Sequence, residues 1–147
     1  MTNIFILDFE SRLRSWADLR EKSKLLSIPE KYIAIDDFWQ QVPFSNHYLH
    51  ADFIKDWPDP WQLLHDNTYC SYAKALGMIY TLLLLGNKSI DLVEAKDDNN
   101  NEVVLVLVDD AKYVMNYWPG TVLNNRLQDF VITKTLDWSP LLPKIGL

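Results

Sequence analysis

The chain has 147 residues, 48% of them apolar and 13% aromatic, which is enough bulk for one domain around one core. A formal charge of −6 and a pI near 4.9 argue against neutralising nucleic-acid phosphates or docking on an anionic bilayer, since both need clustered Lys and Arg. One cysteine forms no internal disulfide, Met1 to Arg12 has no basic stretch leading into an apolar core, and the longest apolar run, Ala75–Leu85, is about half the ~20 residues a membrane span needs; the expected location is cytoplasmic.

Phe9, Leu13 and Trp16, with Leu19 close by, recur at helical spacing and predict an amphipathic helix from Asp8 to about Leu26. Ser27 and Glu30 stand three apart as a capping box, opening a second helix from about Pro29 to Val42 with Ile35, Phe38, Trp39 and Val42 inward. Residues Phe44 to Asp66 mix Pro, Asp and aromatics without a period. They read as a long ordered loop in which Trp57 and Trp61 pack down.

A third and most apolar helix runs from near Thr68 to about Leu85, where Gly86-Asn87 supplies a left-handed stop. The period then becomes that of strands. Ile90–Ala95, Val103–Val108 and Tyr113–Trp118 predict an antiparallel meander joined at Asp97–Asn101 and Asp109–Ala111, and Phe130–Leu136 alternates as an edge-like strand. The tail from Asp137 to Leu147 carries two prolines and forms no regular element by itself. An arm across its own domain and an extended peptide for a partner are both open.

Helices first, then a central helix with Cys70 in its first turn, then a meander, is the order of papain-like and transglutaminase-like folds. Trp57-Pro-Asp-Pro60 leading into Thr68-Tyr-Cys-Ser-Tyr-Ala73 resembles the bacterial transglutaminase-like cysteine proteinases. In that family Trp-x-x-Pro precedes Gly-Asp-Cys-Glu-Asp-Tyr-Ala. Cys70, Tyr72 and Ala73 hold corresponding places, and Thr68 and Tyr69 replace Gly-Asp. The likeness spans Trp57 to Trp138. It implies an α+β fold, with a helical amino-terminal half and a central Cys70 helix packed on an antiparallel meander. It also implies one domain over 1–147, made of a cover (1–56), a core (57–138) and a carboxy-terminal arm (139–147).

The family's histidine opens the second strand and its acid lies in the third. Here Glu102 falls near the first slot and Asn116 in the second, and no histidine follows Cys70. A helix start favours a thiolate, and Asn can orient an imidazole. A carboxylate beside a thiol disfavours its ionisation and cannot protonate a leaving amine at neutral pH. The resemblance therefore implies a degenerate site and a non-catalytic binding or assembly module with a protein partner. Such a chain would suit a small bacterial or phage protein, for example a tail or baseplate component, placed then in the virion or host cytoplasm.

The alternative is an active thiol peptidase, amidase or acyl-transferase with Cys70 as nucleophile, His65 or a histidine of a partner protein as base and Asn116 as orienter, its oxyanion held by amides near Tyr69 and Cys70. A third reading makes Cys70 a small buried apolar residue in a structural subunit. Trp57, Trp61, Tyr69 and Tyr72 concentrate near the presumed cleft and are the candidate binding residues.

No metal or other cofactor is expected. His47, His50 and Asp52 have ligand spacing but no fourth partner. Asp97, Asn99 and Asn101 imitate a calcium loop, yet Glu102 stands where Gly is required and Val108 where Glu is required. The four glycines are scattered, so no phosphate loop exists.

Overall fold

Asp8 and Ser27, both in extended backbone, cap the first two helices of the computed structural model, which describes residues 3–46 and 48–146. Asp8 accepts from the Ser11 amide at 2.8 Å and opens α1 (Phe9–Ser23). Ser27 accepts from the Glu30 amide and opens α2 (Ile28–Gln40). The Glu30 carboxylate accepts a hydrogen bond from the Ser27 hydroxyl at 2.6 Å rather than reaching the cap's own amide, a variant of the expected box. Ile35, Phe38, Trp39 and Val42 are all buried, as their spacing predicts.

The segment expected to be a loop contains two short helices. A 3-10 stretch covers Ala51–Asp56, and α3 spans Pro60–Asp66 with Asp59 capping the Gln62 amide at 2.8 Å. Seven residues are too few to display a period, but Asp59-Pro60 is a cap followed by the residue best suited to the first helical position. Trp57 is buried and donates its indole N–H to the His50 carbonyl at 2.9 Å. Trp61 is 49% exposed on α3 and does not pack down as expected.

The central helix α4 (Ser71–Leu84) begins three residues later than the sequence suggests. Tyr69 is held in extended backbone by a parallel bridge to Phe44, its carbonyl accepting from the Ser45 amide. Helical backbone starts only past Cys70, the N-cap. Every residue from Ala75 to Leu83 is buried. Within that stretch a Cβ on Gly77 would collide with the Trp39 ring, so the glycine lets α2 and α4 meet closely. Thr81 gives two of the buried indoles an acceptor, since Trp16 and Trp39 donate to its hydroxyl at 2.9 and 3.0 Å.

Strands β1 (Ile90–Lys96), β2 (Glu102–Val108), β3 (Tyr113–Trp118), β4 (Thr121–Asn124) and β5 (Val131–Leu136) form an antiparallel sheet in the order β4-β3-β2-β1-β5. The first four make the meander, and β5 returns to pair with β1 at the far edge. Leu92, Val106, Val108 and Met115 face the helical core, whereas Val93, Ala95, Leu105, Leu107 and Val114 form a second cluster with Phe130 on the opposite face. The unbroken apolar run of β2 is thus explained: it is covered on both sides.

The tail lies across its own chain. Its Ser139–Ile145 segment is 3-10, Leu141 is fully buried, the Trp138 indole donates to Ile90 at 3.0 Å, and Lys144 donates to the Trp57 carbonyl at 2.7 Å. Among the described residues no helix is long and apolar enough to cross a membrane.

Candidate functional site

The start of α4 opens onto a cleft of about 300 Å³. Cys70, Ser71 and Tyr72 form one wall, β1 and β2 supply Glu94, Glu102 and Val104, and the loop before the 3-10 stretch brings Phe44 and Leu49. The Cys70 thiol is free and 5% exposed at the mouth of a 14-residue helix, and its side chain caps none of the first-turn amides. Tyr72 donates its hydroxyl to Glu94 at 2.8 Å. Burial first, and that carboxylate second, push the phenol's pKa up, so it acts as a donor throughout the neutral range.

Asn116 sits at the back of this wall. Its backbone is left-handed (φ 68°), where the register between β3 and β4 shifts. Its side-chain amide donates to the carbonyls of Ser71 at 3.2 Å and Val104 at 2.9 Å, while its oxygen accepts from Gln40 at 3.2 Å. One asparagine therefore ties the first turn of α4 to β2, with both amide hydrogens spent. Gln40 in turn accepts from the Lys74 ammonium at 3.0 Å, and burial lowers the Lys74 pKa.

Beneath them Asp36, fully buried, accepts the Asn116 amide at 2.8 Å and the Gly120 amide at 3.1 Å. Burial pushes its pKa up to about 6 against the pull of those amides. Asp36, Gln40 and Lys74 are site-supporting residues that the sequence reading missed. A signal was present: Tyr32, Ile35, Asp36 and Trp39 share the buried stripe of α2 at positions i, i+3, i+4 and i+7. An acid on a core stripe demands buried partners.

The remaining candidates do not converge. His65 is exposed, with its ring 3.4 Å from Asp66 and edge-on to Phe9 at 5.2 Å, and it does not line the cleft. His50 faces solvent, and His47 lies outside the described residues. Trp57 and Tyr69 are core side chains, and Trp61 is away on α3, so among the four aromatic candidates only Tyr72 lines the cleft. Among the described residues no group of three His, Cys, Asp or Glu could hold a metal. Asp97 is occupied by the Asn99 and Asn101 amides and the Tyr117 hydroxyl, which makes its segment a hairpin turn.

The lining thus offers a thiol, two carboxylates and a phenol already committed to one of them. Among the described residues it offers no imidazole to take the thiol's proton and return it to a leaving amine.

The same fold occurs in Legionella pneumophila LapG in its calcium-bound form, with a TM-score of 0.69 over 88% of this chain and 76% of that one, at 13% identity. No protein-family model matches the sequence, and neither does any curated protein. LapG has a transglutaminase-like cysteine protease fold, so the α+β class and the transglutaminase-like architecture expected from the residues around Cys70 hold for this chain. At that identity the likeness concerns the fold alone.

Proposed function

We propose that the cleft at the start of α4 is a non-catalytic recognition site for an extended protein segment, carried on a transglutaminase-like fold. The observation behind this reading is the lining itself: among the described residues, a thiol at a helix start faced by Glu94 and Glu102, with no imidazole beside it. Phe44 (58% exposed) and Val104 add apolar contact, and the cleft reaches Thr133 on β5, an edge strand with five of its six residues exposed. An extended backbone has an unpaired edge to run along there. Within this reading the chain is an assembly component, and a phage tail or baseplate is the setting its size and acidic balance would suit.

The test is Cys70→Ala against the parent. Incubated with a mixed peptide library and read by mass spectrometry, the parent is expected to release no fragment that the variant does not. Both should show the same peptide-induced shifts of cleft amides. Fragments that depend on Cys70 would establish the active thiol enzyme instead; an absence of shifts with every peptide would leave a purely structural subunit.

A further inference from the structure

Among the described residues, Glu94 and Glu102 are the only carboxylates lining the cleft, and no lysine or arginine lines it. Lys96 stands opposite Glu102 and Lys134 opposite Glu94 in the sheet ladder, so either could have neutralised its neighbour. Among the described residues neither carboxylate has a salt-bridge partner; Lys134 reaches Asp52 at 3.7 Å instead. Lys74, the nearest basic residue on α4, is bound to Gln40 and lies over the Phe44 ring at 5.3 Å. Glu94 spends one oxygen on Tyr72, and Glu102 is exposed with no side-chain hydrogen bond to the described residues.

A half-enclosed cleft of about 300 Å³ that, among the described residues, is lined by two carboxylates and no basic side chain favours a positive group, because burying the occupant strengthens the attraction relative to water. Its other walls are apolar. Phe44, Leu49, Ala95, Val103 and Val104 suit the methylene stem of a long basic side chain, whose head stays polar while its stem is covered. An anionic segment would face like charge twice, and a purely apolar one would desolvate two carboxylates without return.

Resting on the recognition reading above, we infer that the segment bound here carries a lysine or arginine whose stem packs on Phe44 and Val104 and whose charge is met by Glu94 and Glu102. The partner is an extended basic stretch of another protein.

The experiment titrates isotopically labelled protein with blocked Gly-Ala-Arg-Ala-Gly, its lysine analogue, and matched peptides with alanine or glutamate at the centre, following cleft amides by NMR. The arginine and lysine peptides are expected to bind about tenfold more tightly than the glutamate peptide, the size of one charge-assisted hydrogen bond. That preference should shrink towards unity in Glu102→Gln and Glu94→Gln and weaken with added salt. Glu102 is exposed, so its variant keeps the fold, and the unshifted amides of the helical core verify this. Equal affinity for all central residues, or a preference that survives both substitutions, overturns the charge inference while leaving recognition standing. An absence of cleft shifts with every peptide at millimolar concentration removes both.

Discussion

Asp36 is the residue where burial and hydrogen bonding compete most openly. It has no solvent contact, yet each carboxylate oxygen accepts a backbone amide, from Asn116 and from Gly120. Burial wins, and the pKa rises from 3.8 to about 6. Between those values the folded protein binds a proton that the unfolded chain has lost, so stability falls as pH rises. The contribution is whole below pH 3.8, is lost by about pH 6, and is worth about 3 kcal/mol at most. Asp8, Asp97 and Asp137 work in the opposite sense at lower pH. The groups of Ser11, Asn101 and Ser139 bonded to them hold their carboxyls below the usual range. The informative quantity is therefore the difference between the parent and Asp36→Asn. Urea titrations at intervals from pH 4 to pH 7 should show the parent losing stability relative to the variant across that window. The variant should be the less stable at pH 4, because its NH₂ must face one of the two amides. A pH-independent difference would refute the assignment.

At the scale of elements, what the sequence made legible depended on length. α1, α2 and α4 and the strands β1, β2, β3 and β5 are long enough to express a period of 3.6 or 2, and all seven were found within a few residues. The four-residue β4 and the seven-residue α3 were not, because pairing with β3 and packing against α1 and α4 define them rather than local pattern. The same limit applies at the cleft. Cys70 and Asn116 were named as candidates from the residues, but the clamp that Asn116 forms was not legible: Asn116 reaches across 45 residues to Ser71 and Gln40 across 76 to Asn116. Asn116→Ala should cost about 3 kcal/mol, since it strands two carbonyls and the Gln40 amide and puts a Cβ-bearing apolar residue in left-handed backbone. Asn116→Gly relieves the backbone alone and should recover only part of that loss. In both variants the amides of the first turn of α4 should exchange faster with solvent, read by hydrogen exchange. Wild-type protection in Asn116→Gly would mean that the turn is held by packing and not by the clamp.

Across the whole molecule the sequence carried the order of parts but not their closure. Helical half, cysteine helix and meander follow from local periods. The return of β5 to β1, outside the meander, is a non-local pairing that no window of residues announces. The tail is settled the same way. Two prolines left an arm across its own domain and an extended peptide for a partner both open, and in the structure Leu141 is fully buried while Trp138 and Lys144 each supply a donor to an otherwise distant carbonyl, of Ile90 and Trp57. The arm therefore braces Trp57, whose ring lies 5.8 Å from that of Tyr72, and Tyr72 holds Glu94 at the cleft. Leu141→Ala should cost about 3 kcal/mol in urea unfolding, the usual loss for a large-to-small change at a fully buried leucine. Lys144→Ala, which leaves one backbone acceptor unpaired near the surface, should cost about 1 kcal/mol. An arm awaiting a partner would give values near zero for both, because nothing in the isolated chain would then depend on its side chains.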